Sequence, residues 1–284
     1  MSERDDKIVA MMAYMREHWP SRVKKKWQVG EEDYSRMLGK VMNEWTTGKS
    51  KGKRFYRIAG QSGSGKTTQL LPMVEKWFEL NNATPVLVAA RKFPEYHPYI
   101  REITEEYGAE NVRQMTDEVS TIMMFLTLQE LIKNGYDIIL DVTLLDPLVE
   151  GMLVNMLRAG KYVARMTMVT VSREISDGFI EKRKLGGDKK EAKRVVAKST
   201  ADEFWRVTDL AFEYYAENWP SMQVTLWSAW EMAPVYDGQI GNENAFQVLK
   251  KYHGIAELPE DAPSEKELLA AKMEWALGGG LGKK

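Results

Sequence analysis

An α/β fold, with a mostly parallel sheet flanked by helices, is the class this sequence predicts. Three observations predict it. Short apolar runs of strand length alternate with stretches of helical periodicity. Runs such as Tyr136-Asp137-Ile138-Ile139-Leu140 are apolar on successive residues, as in strands buried on both faces. A glycine-rich turn joins the first such run directly to a helical stretch.

In chain order, residues 3–18 and 31–47 read as amphipathic helices, because Ile8, Met11, Met12 and Met15, then Met37, Val41 and Trp45, recur at helical spacing. A polar, basic stretch at 46–53 reads as a linker, which sets off residues 1–50 as a helical extension. The main domain spans 53–256. Its first strand is Arg54-Phe55-Tyr56-Arg57-Ile58-Ala59, followed by a helix at 66–81 and a short strand at 85–89. A helix within 117–134 ends at Asn134-Gly135, and the strand ending at Asp141 follows. A helix at 146–159, a strand at 162–171, helices near 174–184 and 190–218, and a strand at 223–227 complete the pattern. The tail, 257–284, holds one helix at 265–277. No internal repeat is present.

Composition narrows the function classes. The formal net charge of −1 argues against a chain built as a whole to bind nucleic acid or membranes. The absence of cysteine excludes disulfides, thiolate zinc sites and a cysteine nucleophile. Histidines stand only at 18, 97 and 253, with no metal-ligand spacing. The N-terminus carries no apolar signal core, and no 18-residue apolar run occurs. A soluble, cytoplasmic protein is expected.

The chemistry concentrates in Gly60-Gln61-Ser62-Gly63-Ser64-Gly65-Lys66-Thr67, which satisfies G-x-x-x-x-G-K-[ST]. Glycines permit positive φ and let backbone N–H groups curl around a phosphate. Gly60, Ser62, Gly63, Ser64, Gly65, Lys66, Thr67 and Thr68 are the expected ATP-binding residues. Lys66 reaches the β- and γ-phosphates, Thr67 offers a hydroxyl to Mg²⁺, and the helix behind aims its positive end at the anion. Asp141, ending a buried strand at its carboxyl end, is the expected second Mg²⁺ ligand; the alternative is a carboxylate that caps the next loop.

Beyond this loop, the sequence resembles the zeta toxin kinases, P-loop enzymes that phosphorylate UDP-N-acetylglucosamine. The resemblance covers most of 54–236. It rests on the phosphate loop GQSGSGKTT, on Phe93-Pro94-Glu95-Tyr96-His97-Pro98 beside the family's F-x-x-x-H-P segment, and on the strand ending Asp141-Val142-Thr143. Arg194-Val195-Val196-Ala197-Lys198 is similar to the family's R-x-V-P-K, with alanine for proline. The resemblance implies a P-loop kinase with ATP and Mg²⁺ as cofactors, and Lys66, Asp141, Arg183 and Arg194 in catalysis. A substrate site at Arg91, Phe93, His97 and Thr143 is also implied, with a hydroxyl-bearing nucleotide sugar as acceptor.

One departure stands out. The family's base aspartate, two residues before the phenylalanine, is here Arg91, and a cation cannot accept a hydroxyl proton. Asp141, Glu95 and Asp146 are the substitute candidates. A nucleoside or a modified base in nucleic acid is the alternative acceptor, and a catalytically silent nucleotide-binding module is a third reading. The basic segment Lys182, Arg183, Lys184, Lys189, Lys190, Lys193 and Arg194 around Gly186-Gly187 suits a phosphate-closing lid by resemblance. A solvated helix face and a nucleic-acid patch are its other readings. His97 shapes the substrate loop by resemblance; alone, it reads as structural. Trp205, Trp219, Trp227 and Trp230 read as packing residues. Family members are held in check by helical antitoxins, so a helical inhibitor is implied in trans, or in cis from residues 1–50.

Overall fold

The computed structural model describes residues 21–61, 64–109, 111–185, 198–278 and 280, with Ala13 and Glu17, leaving aside the side chains of 183–185 and 198–204. Strands β1 (Arg54–Gly60), β2 (Val86–Val88), β3 (Ile138–Asp141), β4 (Val163–Thr170), β5 (Gln223–Ser228) and β6 (Tyr236–Gln239) form one sheet in the order β2-β3-β1-β4-β5-β6. The first five are mutually parallel and β6 pairs antiparallel with β5. The carboxyl ends of β1, β2 and β3 therefore share one edge, where an open parallel sheet binds its ligands.

The helices are α1 (Glu31–Thr46), α2 (Leu71–Leu80), α3 (Ile100–Tyr107), α4 (Val112–Met115), α5 (Asp117–Lys133), α6 (Pro147–Ala159), α7 (Arg173–Leu185), α8 (Lys198–Asn218), α9 (Glu243–His253) and α10 (Glu265–Leu277). Helix α5 is buried along almost its whole length, from Val119 to Ile132, and packs against α1. Tyr34, Met37, Leu38 and Val41 of α1 join Val119, Phe125 and Leu128 in the larger core. Residues 31–46 are thus part of the main packing unit. Across the sheet, α2 and α10 cover Tyr56, Ile58 and Trp227 in a second cluster.

Several expectations change in detail. The helix expected at 66–81 is a wide π-type turn, Lys66–Leu70, followed by α2. Pro72 explains the break, since it has no N–H for the carbonyl of Thr68. Tyr136 and Asp137 lie before β3. Asp137 instead turns its carboxylate to the backbone N–H and guanidinium of Arg54 and to the Ser50 hydroxyl, fixing the segment at 46–53 to the core. Helices α3, α4 and α9 and strand β6 had no counterpart in the sequence pattern. The expected helix at 3–18, apart from Ala13 and Glu17, the start of the one at 190–218, and Arg194 lie outside the described residues. Among the described residues, no helix is long and apolar enough to cross a membrane.

Candidate active site

β1 delivers the phosphate loop to the carboxyl edge. Two of its glycines are required by geometry. Gly60 has φ +135°, and a Cβ there would meet the Val169 carbonyl oxygen at 2.9 Å. Gly65 has φ +87°, and a Cβ would strike the Gln69 side chain at 2.6 Å. Within the loop, the Ser64 hydroxyl donates to the Gln61 carbonyl at 2.9 Å, and the Thr68 hydroxyl to the Gly65 carbonyl at 3.2 Å. Lys66 Nζ lies 3.5 Å from the Gln61 carbonyl, so its ammonium curls back over the loop. Thr68 also donates to Glu265, the first residue of α10. Ser62 and Gly63 lie outside the described residues.

β3, next to β1, places Asp141 beside this loop. The Thr67 hydroxyl donates to Asp141 Oδ2 at 3.2 Å. A hydroxyl and a carboxylate so placed fit Mg²⁺, a hard cation that takes one or two protein oxygens and completes its shell with water and phosphate. Asp141 Oδ1 supports the fit, because it is buried and has no hydrogen-bond partner. Among the described residues, no group of three or more His, Cys, Asp or Glu side chains could hold a metal ion by themselves.

The loop after β2 supplies the opposite wall. It forms the 3₁₀ segment Ala90–Tyr96, from which Arg91 Nη1 donates to Asp141 Oδ2. Arg91 is about one-third exposed, whereas the Asp141 side chain is fully buried. Cations gather here. Burial pushes the Lys92 ammonium down from its usual range, and the charges of Arg91 and Lys49 add to that effect. Burial also pushes the Arg113 guanidinium down, with Asp117 opposing and Arg91 assisting. Burial raises the Glu75 carboxyl, Lys92 and Lys49 oppose the rise, and Asp141 adds to it.

Phe93 is fully buried and does not line an open surface. Its ring packs 5.1 Å from Trp45 of α1, and Trp45 Nε1 donates to the Tyr96 hydroxyl at 2.9 Å. The C-terminal end of α1 therefore buttresses the segment that carries Arg91. His97 is buried too. Its Nδ1 accepts from the Tyr99 N–H at 3.1 Å, its Nε2 has no partner, and burial pulls its pKa down to about 4. That is the behaviour of a neutral structural histidine.

The structure also reveals a group that sequence reasoning passed over. Arg57, in the middle of β1, makes a bidentate pair with Glu150 of α6, at 2.9 and 2.7 Å. Arg57 Nη2 also donates to the Thr143 carbonyl at 2.9 Å, while the Leu145 N–H and the Tyr215 hydroxyl each reach Glu150 at 2.7 Å. Thr143, an expected substrate residue, is thus held from behind by its backbone. The available signal was one arginine and one glutamate, each inside an apolar run. Of the alternative bases, Asp146 caps α6 by accepting from the Leu148 N–H at 2.9 Å, and Glu95 is exposed. Lys182 is exposed on α7; the Arg183 side chain and Arg194 are not among the groups described. Trp227 and Trp230 are buried, as expected for packing.

Comparison with known proteins places this geometry. The Zeta toxin family model matches residues 42–237, more than half of the chain. Toxin PezT of Streptococcus pneumoniae is 25% identical over 148 residues, which is 51% of this chain and 56% of the relative, so the chain spans just over half the length of the curated relative it matches. A structure from the PezAT toxin–antitoxin system of S. pneumoniae superimposes with a TM-score of 0.65 at 21% identity, covering 91% of this chain and 99% of that one. The AvrRxo1-ORF1:ORF2 complex with ATP gives a TM-score of 0.52 at 11% identity, covering 87% and 84% of the two chains. These structural likenesses establish a shared fold. On the family match, the chain belongs to the zeta toxin family.

Proposed function

We propose that this chain is an ATP-dependent kinase that transfers the γ-phosphoryl group of ATP to a substrate hydroxyl. The single observation that carries the reading is the 3.2 Å contact between Thr67 Oγ1 and Asp141 Oδ2 at the head of the phosphate loop. It joins the two protein oxygens that phosphoryl transfer needs beside the terminal phosphates. The presence of ATP in an AvrRxo1 structure of the same fold supports the nucleotide assignment.

In this reading the backbone of residues 60–68 and the Ser64 and Thr68 hydroxyls cradle the phosphates, with Ser62 and Gly63 completing the loop. Lys66 neutralises charge on the β- and γ-phosphates. Thr67 and Asp141 hold Mg²⁺, which when bound neutralises charge developing on the phosphate oxygens. Arg183 and Arg194 are the residues assigned to neutralise the transferring group. The acceptor lies against 91–99 and Thr143, with Phe93 and His97 shaping the wall from behind. A nucleotide sugar such as UDP-N-acetylglucosamine is the acceptor that family membership favours. Arg91 favours a second reading, a different hydroxyl such as that of a nucleoside or nucleic acid, because it puts a cation where an acid would serve as base. A loose transition state tolerates that loss, since positioning and charge neutralisation carry most of the catalysis. A helical antitoxin is the proposed partner, as the PezAT neighbour is part of a toxin–antitoxin system.

Radiolabelled ATP offered with nucleotide sugars, nucleosides and DNA tests the proposal. Label should pass to one acceptor class, and Lys66→Ala should abolish the transfer while leaving the circular dichroism spectrum unchanged. Transfer at the wild-type rate by the Lys66→Ala protein would overturn the site.

A further inference from the structure

We propose that Arg91 is an internal counter-cation that holds the divalent ion's place on Asp141, so that metal and nucleotide bind by displacing it and each strengthens the other's binding. The inference rests on the kinase reading above. The guanidinium and the Thr67 hydroxyl meet at the same oxygen, Asp141 Oδ2, which is the oxygen a cation shared with Thr67 would use. A carboxylate with no exposed surface needs a counter-charge, and Arg91 provides it. The compensation is incomplete, because Asp141 Oδ1 is buried without a partner.

Arg91 is also placed to leave. It is about one-third exposed and sits on a short 3₁₀ segment, while Asp141 is fixed at the end of a central strand. Its departure has a cost beyond the broken pair. Arg91 lies within electrostatic reach of Lys92 and Arg113, both already disfavoured as cations by burial. Freed from Asp141 by a metal ion alone, it would leave its charge beside these cations with only Glu75, Glu95 and Asp117 in the cluster to offset it. Arriving together, a divalent cation takes the carboxylate and the nucleotide phosphates answer the released guanidinium. One charge exchange thereby couples two ligands, and a coupling of this kind ordinarily changes affinity by about 5–150-fold.

The test is Mn²⁺ binding to the full chain, followed by electron paramagnetic resonance with and without a non-hydrolysable ATP analogue. Wild-type protein should bind Mn²⁺ weakly alone and at least about tenfold more tightly with the analogue. Arg91→Gln should bind Mn²⁺ alone about tenfold more tightly than wild type and lose most of the coupling. Arg91→Lys, which keeps the charge, should behave like wild type. Thermal unfolding checks that each variant is folded, and Asp141→Asn in the Arg91→Gln background should abolish the gain. Equal or weaker Mn²⁺ binding by Arg91→Gln overturns the proposal, as does identical behaviour of Gln and Lys variants or a gain that survives Asp141→Asn. Wild-type protein that binds no Mn²⁺–analogue complex at all would instead defeat the kinase reading, so the two failures are distinguishable.

Discussion

Two arginine–carboxylate pairs flank the end of β3, and they are built to opposite specifications. In the Arg57–Glu150 pair both side chains are about 1% exposed, and both Glu150 oxygens are saturated: Arg57 reaches each of them, the Tyr215 hydroxyl adds to one and the Leu145 N–H to the other. Burial and the Glu150 charge push the Tyr215 phenol well above its usual range, so it remains a donor at any ordinary pH. In the Arg91–Asp141 pair the arginine reaches solvent, one oxygen takes two donors and the other takes none. The difference teaches that an ion pair's role lies in the completeness of its surroundings. A pair whose carboxylate is saturated, with only Arg57 Nε left unpartnered, fixes the loop at 142–146; the half-open one leaves one carboxylate oxygen, Asp141 Oδ1, without a donor.

The largest expected effect is on the saturated pair. Glu150→Ala strands the Arg57 guanidinium in the core, and breaking a buried pair by removing one partner costs about 3–5 kcal/mol. Urea unfolding should show that loss, and the double variant Arg57→Met, Glu150→Leu should recover part of it. The half-open pair should respond the other way. Asp141→Asn should lower phosphoryl transfer by at least about a hundredfold yet change unfolding free energy by less than about 1 kcal/mol, because Arg91 can turn to water. Equal destabilisation by the two single substitutions would erase the distinction.

How much of this could be read in advance follows from the range of each interaction. The phosphate loop was legible because its chemistry is local: glycines at positive φ, a lysine and a threonine within eight residues of one another. Helix α10 was legible at 265–277 because its start is also local, with Ser264 and Glu267 forming a reciprocal cap. β6 was not, since its residues are at most half-buried and it owes its pairing to β5. Arg57 was passed over: its only signal was one charge inside an apolar strand, and its partner lies 93 residues away in sequence. Arg91 was visible as a departure from the family pattern; its contact with Asp141, 50 residues on, was not. Phe93 and His97 were expected among the substrate residues, and both side chains are buried, because a motif records which residues recur and not which way they face.

The comparison extends to two buried bases that no carboxylate hydrogen-bonds, although Asp33 and Glu102 offset part of the burial of the first. His97 is the first. Its pKa falls to about 4 against an ordinary 6.5, so the folded state prefers the neutral ring. As pH drops through the window from 6.5 to 4, the unfolded chain takes up a proton that the folded chain refuses, and stability is lost. The loss approaches about 3 kcal/mol at the acid end, since each pH unit between the two values is worth roughly 1.4 kcal/mol. His97→Asn, which keeps an acceptor for the Tyr99 N–H, should flatten that part of the stability profile. An unchanged acid limb in this variant would show that His97 is compensated after all.

Lys272 of α10 is the second, with the smallest net effect expected. Its side chain is fully buried, Nζ has no hydrogen-bond partner, and burial lowers its pKa to about 8 from an ordinary 10.5. The face of Trp227, 4.8 Å from the ammonium, gives the charge a favourable contact. Below pH 8 both folded and unfolded chains carry the proton, and the full cost of burying the charge is present. Between pH 8 and 10.5 the folded chain releases its proton first, so stability should rise with pH across that window. Lys272→Met keeps the length and the apolar stem while removing the charge. It should stabilise the protein at pH 7 by about 2 kcal/mol, the transfer gain less the lost contact with Trp227, and the difference from wild type should shrink toward pH 10.5. Guanidinium unfolding at pH 7 and pH 10 measures both. A variant less stable than wild type at pH 7 would mean that Trp227 compensates Lys272 as fully as Glu150 compensates Arg57, and saturation by hydrogen bonds would no longer be what separates the structural charges from the open ones.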